Sequence, residues 1–164
     1  MLLMKVVILS DTHGNQTLAL SIVDANGDAD HIVHLGDETD DACFLEDVTG
    51  RTVVKVSGNC DCTSRYPREV TLDLEGCRIL ITHGDLYNVK AGKERLKKRA
   101  HEVKADIVLY GHTHLPSIEE IDGILFINPG CLKKGCEEPS YAVLTLGNGA
   151  PSAAIIPAPT PHPE

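Results

Sequence analysis

The sequence predicts an α/β protein in which two mixed β-sheets pack together and helices cover their outer faces. The first half alternates strands and helices as βαβαβ and the second half is mostly hairpins, so we expect a parallel first half and an antiparallel second half. With this much strand in 164 residues, two packed sheets are favoured over one open sheet. Hydrophobic residues make up 42% of the chain and aromatic residues only 4%, which predicts an aliphatic core.

The first half is built around one well-defined helix. Apolar residues at helical spacing predict it from Gln16 to Ala25, with Asn15 as its N-cap. The other predicted elements of this half are strands at 5–9, 31–35 and 52–56 and a short helix around 42–47.

Turn signals organise the second half. Glu75-Gly76 and Asp122-Gly123 each separate two strand patterns, and the second pair is typical of a type I′ hairpin. An amphipathic pattern predicts a helix over 92–104. The predicted strands are 69–74, 78–82, 106–110, 118–121, 124–127, 141–146 and 153–156.

We expect one domain at residues 1–156 and a disordered tail at 157–164, where four of eight residues are proline. The net charge of -9 argues against a nucleic-acid polymer or a membrane surface as partner. The N-terminal apolar run is too short for a signal peptide, which predicts a cytoplasmic protein. All six cysteines are therefore expected to be reduced.

Residues that can bind a metal ion follow five apolar segments, each of which is predicted to be a strand. Ligand clefts of α/β sheets lie outside the carboxyl ends of strands, so five such loops predict one site. The five segments are Asp11-Thr12-His13, Gly36-Asp37, Gly58-Asn59, His83-Gly84 and Gly111-His112-Thr113-His114.

The residue types in these loops indicate transition metals. Mixed oxygen and imidazole ligands without a thiolate suit manganese, iron, cobalt, nickel or zinc. Seven ligands exceed the need of one tetrahedral ion, whereas two ions sharing a carboxylate, ~3.5–4 Å apart, bind a phosphate and activate water. Two divalent ions, two carboxylates and a hydroxide leave a local positive charge, which favours a small phosphoester substrate.

The order of these blocks resembles the calcineurin-like metallophosphoesterases. Gly58-Asn59-Cys60-Asp61 and Asn128-Pro129-Gly130 are similar to blocks of the small single-domain phosphodiesterase branch. The resemblance covers residues 5–131. It implies a four-layer α-β-β-α sandwich with a binuclear metal centre, and in this family dimers or tetramers are common.

The resemblance also implies a role for each ligand. Asp11, His13 and His114 would hold the first metal, Asp37 would bridge, and Asn59, His83 and His112 would hold the second. Manganese is the first choice of metal, with iron, zinc, nickel or cobalt as alternatives. A metal-bridging hydroxide would attack phosphorus, with Asp37, Asn59 and His112 as the catalytic residues.

Two departures bear on the substrate. Many family phosphatases have a histidine where this chain has Cys60, and a thiol with a pKa near ~8.5 is a poorer proton donor. This favours phosphodiesters or activated esters. Cys131 stands where the family more often has serine. A phosphomonoesterase and a non-catalytic protein-interaction scaffold, as in a retromer subunit that resembles this branch, are the alternatives.

Three smaller points stay open at this level. His34 either supports a metal ligand or is a strand histidine paired with the backbone. The backbone N–H groups of Gly14 and Asn15 are candidates for contacting a phosphate. Asp40 and Asp41 read as surface charge.

Overall fold

The computed structural model describes residues 2–160, which form two five-stranded mixed sheets and three α-helices. The strands are β1 (Met4–Leu9), β2 (His31–His34), β3 (Val53–Lys55), β4 (Glu69–Leu74), β5 (Cys77–Thr82), β6 (Ile107–Leu109), β7 (Ser117–Ile121), β8 (Ile124–Asn128), β9 (Ser140–Leu146) and β10 (Ser152–Pro157). The helices are α1 (Gln16–Ala25), α2 (Thr39–Thr49) and α3 (Glu94–Val103), with a 3-10 turn at Asp85–Tyr87.

The elements stack in four layers. The two sheets share an aliphatic core in which Ile8 of the first sheet and Ile81 and Leu109 of the second are fully buried. Helices α1 and α2 cover the outer face of the first sheet, and α3 covers the outer face of the second through Leu96. The predicted α-β-β-α sandwich with two mixed sheets is confirmed, and the central strands β1, β2 and β6 are buried on both faces as this layering requires.

Strand direction differs in part from the prediction. In the first sheet the strand order is β10-β9-β1-β2-β3. As expected, β1, β2 and β3 are parallel to one another, β9 pairs antiparallel with β1, and β10 pairs antiparallel with β9. In the second sheet (order β4-β5-β6-β8-β7), β5, β6 and β8 run parallel, so an antiparallel second half is wrong for these strands. The hairpins put only the edge strands β4 and β7 antiparallel, and the crossover through α3 restores the parallel direction.

Local signals located most element ends to within two residues. The Asp122-Gly123 turn has φ values of 53° and 76°, as a type I′ turn requires at both central residues. The largest difference is α2, which begins at Thr39 rather than near residue 42. Its first N–H donates to the Asp61 carboxylate (2.8 Å), an acceptor from another loop that local sequence does not reveal.

The expectation that all cysteines are reduced is wrong for two of them. Cys131 and Cys136 form a disulfide, because the loop between them brings their Cα atoms to 6.6 Å. Cys43, Cys60, Cys62 and Cys77 are free thiols.

The first residues of the predicted tail belong to the fold. Strand β10 continues to Pro157, and the N–H of the buried Ala158 donates to Pro139 O (2.8 Å). The rest of the predicted tail, at 161–164, lies outside the described residues. Among residues 2–160, no helix has the length and apolar character needed to cross a membrane.

Leu96 should contribute strongly to the stability of the α3 layer. It is fully buried between the helix and the second sheet, so Leu96→Ala should lower the free energy of unfolding by about 2–5 kcal/mol. Arg95→Ala, at the exposed neighbouring position of the same helix, should change it by less than about 0.5 kcal/mol. Urea unfolding of the three proteins measures both values, and equal losses would contradict the assigned packing.

Candidate metal centre

The five ligand loops meet at one edge of the two sheets. They follow β1, β2, β3, β5 and β6 at the carboxyl ends of these strands. Backbone hydrogen bonds join neighbouring loops: His13 N–H donates to Asp37 O (3.2 Å), and Gly111 N–H donates to His83 O (2.8 Å). The rigid sheets therefore position side chains that are distant in sequence.

Six of the seven predicted ligands form two compact groups. In each group the ligand atoms lie within 4.8 Å of one another. The groups are Asp11 with His13 and His114, and Asp37 with His83 and His112. The seventh, Asn59, is exposed and lines a cavity of about 370 Å³ over both groups, together with His13, Asp37, Cys60, Lys90, His112, His114, Lys133 and Lys134.

The Asp37 carboxylate lies between the two groups. Its Oδ2 is 3.2 Å from His83 Nε2 and 3.7 Å from His13 Nε2. Its Oδ1 accepts a hydrogen bond from the Cys60 N–H (2.9 Å). One carboxylate oxygen is thus fixed by the backbone while the other faces imidazoles of both groups.

The tautomer of His83 indicates that a cation belongs between these side chains. Its Nδ1–H donates to Leu35 O (2.8 Å), so a neutral ring directs the Nε2 lone pair at Asp37 Oδ2 (3.2 Å). Two electron-pair donors face each other there. His13 Nε2 is also buried and has no hydrogen-bond partner within residues 2–160. Unpaired buried acceptors are costly, and the donor set of oxygens and imidazoles fits divalent transition metals.

The pKa shifts of the side chains at this site also indicate that it favours positive charge. Burial raises the pKa of the Asp11 carboxyl, but its hydrogen bond with His114 and the charge of His83 outweigh burial and hold this pKa below 3.8. The pKa of Asp37 is also lowered, since contact with His83 opposes its burial. Burial lowers the pKa of His83, yet Asp37 and Asp11 raise it above 6.5 overall. Burial and the charge of Asp37 raise the pKa of the Cys60 thiol to about 11.

Five of the candidate ligand residues have a left-handed backbone. The φ angles are 55° at Asp11, 43° at His13, 55° at Asp37, 70° at His112 and 62° at His114. Residues other than glycine rarely adopt this conformation, and each costs of the order of 1 kcal/mol. Such strain persists only where surrounding contacts enforce it.

Two side chains that the ligand pattern does not include, a partly buried carboxylate and a buried amide, hold these loops. The Asp61 carboxylate accepts hydrogen bonds from the N–H groups of Asp37 (2.9 Å) and Gly58 (2.7 Å), as well as from the start of α2. The Asn128 amide donates to Gly111 O (3.3 Å) and Thr113 Oγ1 (2.9 Å), which fixes the double-histidine loop.

His34 combines both roles that the sequence left open. Its Nδ1 accepts from the Gly36 N–H (3.1 Å), so its Nε2–H donates to Thr12 Oγ1 (2.9 Å). It therefore ties the loop after β2 to the loop that carries Asp11 and His13. Burial lowers the pKa of this imidazole to about 4.

Three local predictions near α1 and α2 are confirmed only in part or are wrong. Asn15 is the N-cap residue of α1 as predicted, but it makes no side-chain cap hydrogen bond, because its Nδ2 donates to Leu132 O (2.8 Å) in a distant loop. The Gly14 and Asn15 N–H groups donate to Asp41 Oδ2 (2.8 Å) and Thr12 O (2.9 Å), so neither is free for a phosphate. Asp41 is 1% exposed rather than a surface charge.

The basic lining of the cavity was not predicted from the sequence. Lys90, Lys133 and Lys134 come from segments without a ligand pattern. Lys133 and Lys134 follow the Asn128-Pro129-Gly130 block closely, and this proximity was the available signal.

The chain is similar to known phosphoesterases along most of its length. A model of the calcineurin-like phosphoesterase superfamily domain matches residues 4–149. The probable metallophosphoesterase YsnB of Bacillus subtilis (strain 168) is 33% identical over 153 residues, which cover 90% of this chain and 87% of YsnB. The phosphodiesterase YfcE of Escherichia coli (strain K12) is 29% identical, with 87% of this chain and 88% of YfcE covered.

A solved structure agrees with these similarities. The crystal structure of a predicted phosphoesterase from Streptococcus pneumoniae TIGR4 superposes with a TM-score of 0.82 at 28% identity. The superposition covers 96% of this chain and 91% of that one.

Gly58→Ala should disrupt the centre without a change of any ligand. A Cβ at this position would lie 2.2 Å from Asp37 Oδ1 and 2.9 Å from His83 Cγ. We expect roughly a tenfold or greater loss of metal affinity, measured by titration of the metal-free protein. Gly27→Ala is the matched control, because its Cβ would meet only Asp24 O at 3.8 Å. Equal affinity of both variants would contradict the close packing described here.

His34 should make stability depend on pH. The unfolded chain takes up a proton near pH 6.5 but the folded chain only near pH 4, so the free energy of unfolding should fall as the pH drops through this window. The expected contribution is about 3 kcal/mol. His34→Gln should flatten this dependence in denaturant titrations between pH 7 and 4.

His31→Gln controls for the loss of an imidazole at the other end of β2, where the side chain is partly exposed. If His34→Gln retained the full pH dependence of the unmodified chain, the assignment of this effect to His34 would be wrong.

Proposed function

The chain belongs to the calcineurin-like phosphoesterase superfamily, and from this premise we propose that it hydrolyses small phosphodiesters at a centre of two divalent metal ions. The superfamily comprises hydrolases that use divalent metal ions. The observation that carries the proposal is the position of the Asp37 carboxylate, 3.2 Å from an imidazole of one ligand group and 3.7 Å from an imidazole of the other. A carboxylate so placed suits a bridging ligand.

In this proposal each of the two ligand groups binds one metal ion. Asp11, His13 and His114 would hold one ion, and Asn59, His83 and His112 the other, with Asp37 shared. The mixed carboxylate and imidazole ligands of the two groups suit manganese, iron, zinc, nickel or cobalt, and manganese is our first choice. The Cys60 thiol also lies close to His13 and Asp37. Asn59 would complete its group from the cavity mouth, where its amide is exposed.

The protein's own residues would orient the ester and shield it. When bound, the two cations supply Lewis acidity that offsets phosphoryl charge and makes water a nucleophile near neutral pH. Asp37 would set the spacing of the two groups. Half-buried His112 would place its imidazole beside the phosphoryl oxygens, where negative charge develops. Asn59 would orient the substrate at the cavity entrance.

Cys60 favours a phosphodiester over a phosphomonoester as the substrate. Cys60 lines the cavity beside Asn59, where an imidazole would protonate a poor leaving group. A thiol is a weaker acid near neutral pH, so substrates whose leaving groups depart with little protonation fit better. The similarity to the phosphodiesterase YfcE supports this choice. The cavity of about 370 Å³ suits a small substrate.

Diester hydrolysis should depend on metal and on Asp37. After chelation, bis(4-nitrophenyl) phosphate should be hydrolysed only when manganese, cobalt or nickel is restored. Asp37→Asn should lower kcat/KM roughly 100-fold or more, because the shared carboxylate loses its charge. Asp47→Asn, on the exposed face of α2, should leave the rate unchanged. The release of 4-nitrophenolate measures each rate.

Two further readouts separate the alternatives. Elemental analysis should find two metal ions per chain, and no bound metal at micromolar supply would instead favour the protein-interaction scaffold. A higher kcat/KM for 4-nitrophenyl phosphate than for the diester would identify a phosphomonoesterase. Hydrolysis that survives chelation would reject the metal-dependent mechanism.

A further inference from the structure

The cavity over the candidate metal centre has a basic wall. Three lysines line it (Lys90, Lys133 and Lys134), although the net charge of the chain is -9. In the part of the chain that the structure describes, none of these three ammonium groups forms an ion pair, as is also true of Lys98 and Lys104, whereas Lys5, Lys55, Lys93 and Lys97 are paired. Three unpaired positive charges thus line the cavity where the substrate would enter.

Lys133 and Lys134 belong to a loop that is fixed at several points. The Cys131–Cys136 disulfide closes it, and Cys136 N–H donates to Lys133 O (3.1 Å) within it. Leu132 N–H donates to Asp11 O (3.2 Å), which attaches the loop directly to a ligand residue. The backbone that carries both lysines is therefore ordered before any anion binds, so less conformational entropy is lost on binding.

The same two lysines also line a second cavity. This cleft of about 660 Å³ lies between α1 and the disulfide loop, with Leu18, Ser21 and Pro139 in its walls. Lys133 and Lys134 are common to both cavities. A substrate with its ester at the metal centre would pass these ammonium groups as it extends into the cleft.

We propose, building on the phosphodiesterase function proposed above, that Lys133 and Lys134 are specificity-determining residues that bind a second phosphate group of the substrate. A phosphate monoester carries a charge of about -1.5 to -2 near pH 7, which two ammonium groups match. Lysine binds phosphate as a compact point charge with three donors. The substrate class is a small phosphodiester that also carries a terminal phosphate.

A matched pair of chromogenic substrates tests this assignment. Thymidine 5′-(4-nitrophenyl phosphate) has one phosphodiester, and its 3′-phosphorylated derivative adds a terminal phosphate with the same leaving group. The metal-loaded protein should prefer the 3′-phosphorylated substrate in kcat/KM. In the double variant Lys133→Ala/Lys134→Ala this preference should fall at least about tenfold, through a higher KM for that substrate.

Three comparisons distinguish an electrostatic role from a structural one. The double variant Lys133→Arg/Lys134→Arg should retain most of the preference, because the charges remain. Lys98→Ala, on the exposed face of α3, should leave both rates unchanged. Raising the salt concentration should weaken the preference of the unmodified chain but not that of the alanine variant.

The outcomes separate this proposal from the one it builds on. If the unmodified chain hydrolyses both diesters and the alanine variant keeps the full preference, the lysine assignment is wrong while the phosphodiesterase stands. If neither diester is hydrolysed, the proposed function is wrong, and calorimetry then tests the lysine assignment by itself. The unmodified chain should bind thymidine 3′,5′-bisphosphate more tightly than thymidine 5′-monophosphate, and the alanine variant should lose this difference. Equal binding of the two nucleotides by the unmodified chain would overturn the lysine assignment.

Discussion

The buried Asp37 carboxylate lies between two groups of imidazoles, and the rest of the site is arranged around it. Its Oδ2 faces His83 and His13 at 3.2 and 3.7 Å, and the orientation of His83 leaves a lone pair directed at that oxygen. Electron-pair donors repel one another at these distances unless positive charge intervenes. The same proximity of carboxylates and imidazoles lowers the pKa of both carboxyls and raises the pKa of His83, so the arrangement favours positive charge between these groups.

Two features of this arrangement are energetically unfavourable: the electron-pair donors repel one another, and five candidate ligand residues have a left-handed backbone. Contacts with the surrounding structure maintain the arrangement in spite of both. Hydrogen bonds that Asp61 accepts and that Asn128 and His34 donate connect the loops, and the glycine at position 58 lets a backbone approach Asp37 and His83 closely. These partners come from different strand ends, so the geometry depends on the packing of both sheets. Contacts from the whole fold therefore compensate the backbone strain at these residues.

The pattern of residues along the chain was sufficient for most of the architecture. Apolar periodicity is a local property, so α1 was located at Gln16–Ala25 and most other elements to within two residues. The candidate ligands could be selected for the same reason, since each follows an apolar run closely. The layer order was also predictable, because an aliphatic chain with this many strands buries its apolar faces best in two sheets.

Contacts between distant segments were decided only by the tertiary structure. The side chain of the N-cap residue Asn15 donates to Leu132 rather than to its own helix, Asp41 is buried, and Cys131 is bonded to Cys136. The parallel direction of β8 and the meeting of Lys133 with the metal cavity also depend on how the two sheets pack. The sequence by itself determined which side chains stand at the strand ends. Only the packed sheets decided which of them face each other, because hydrogen bonds and charges act across space between residues that no local pattern relates.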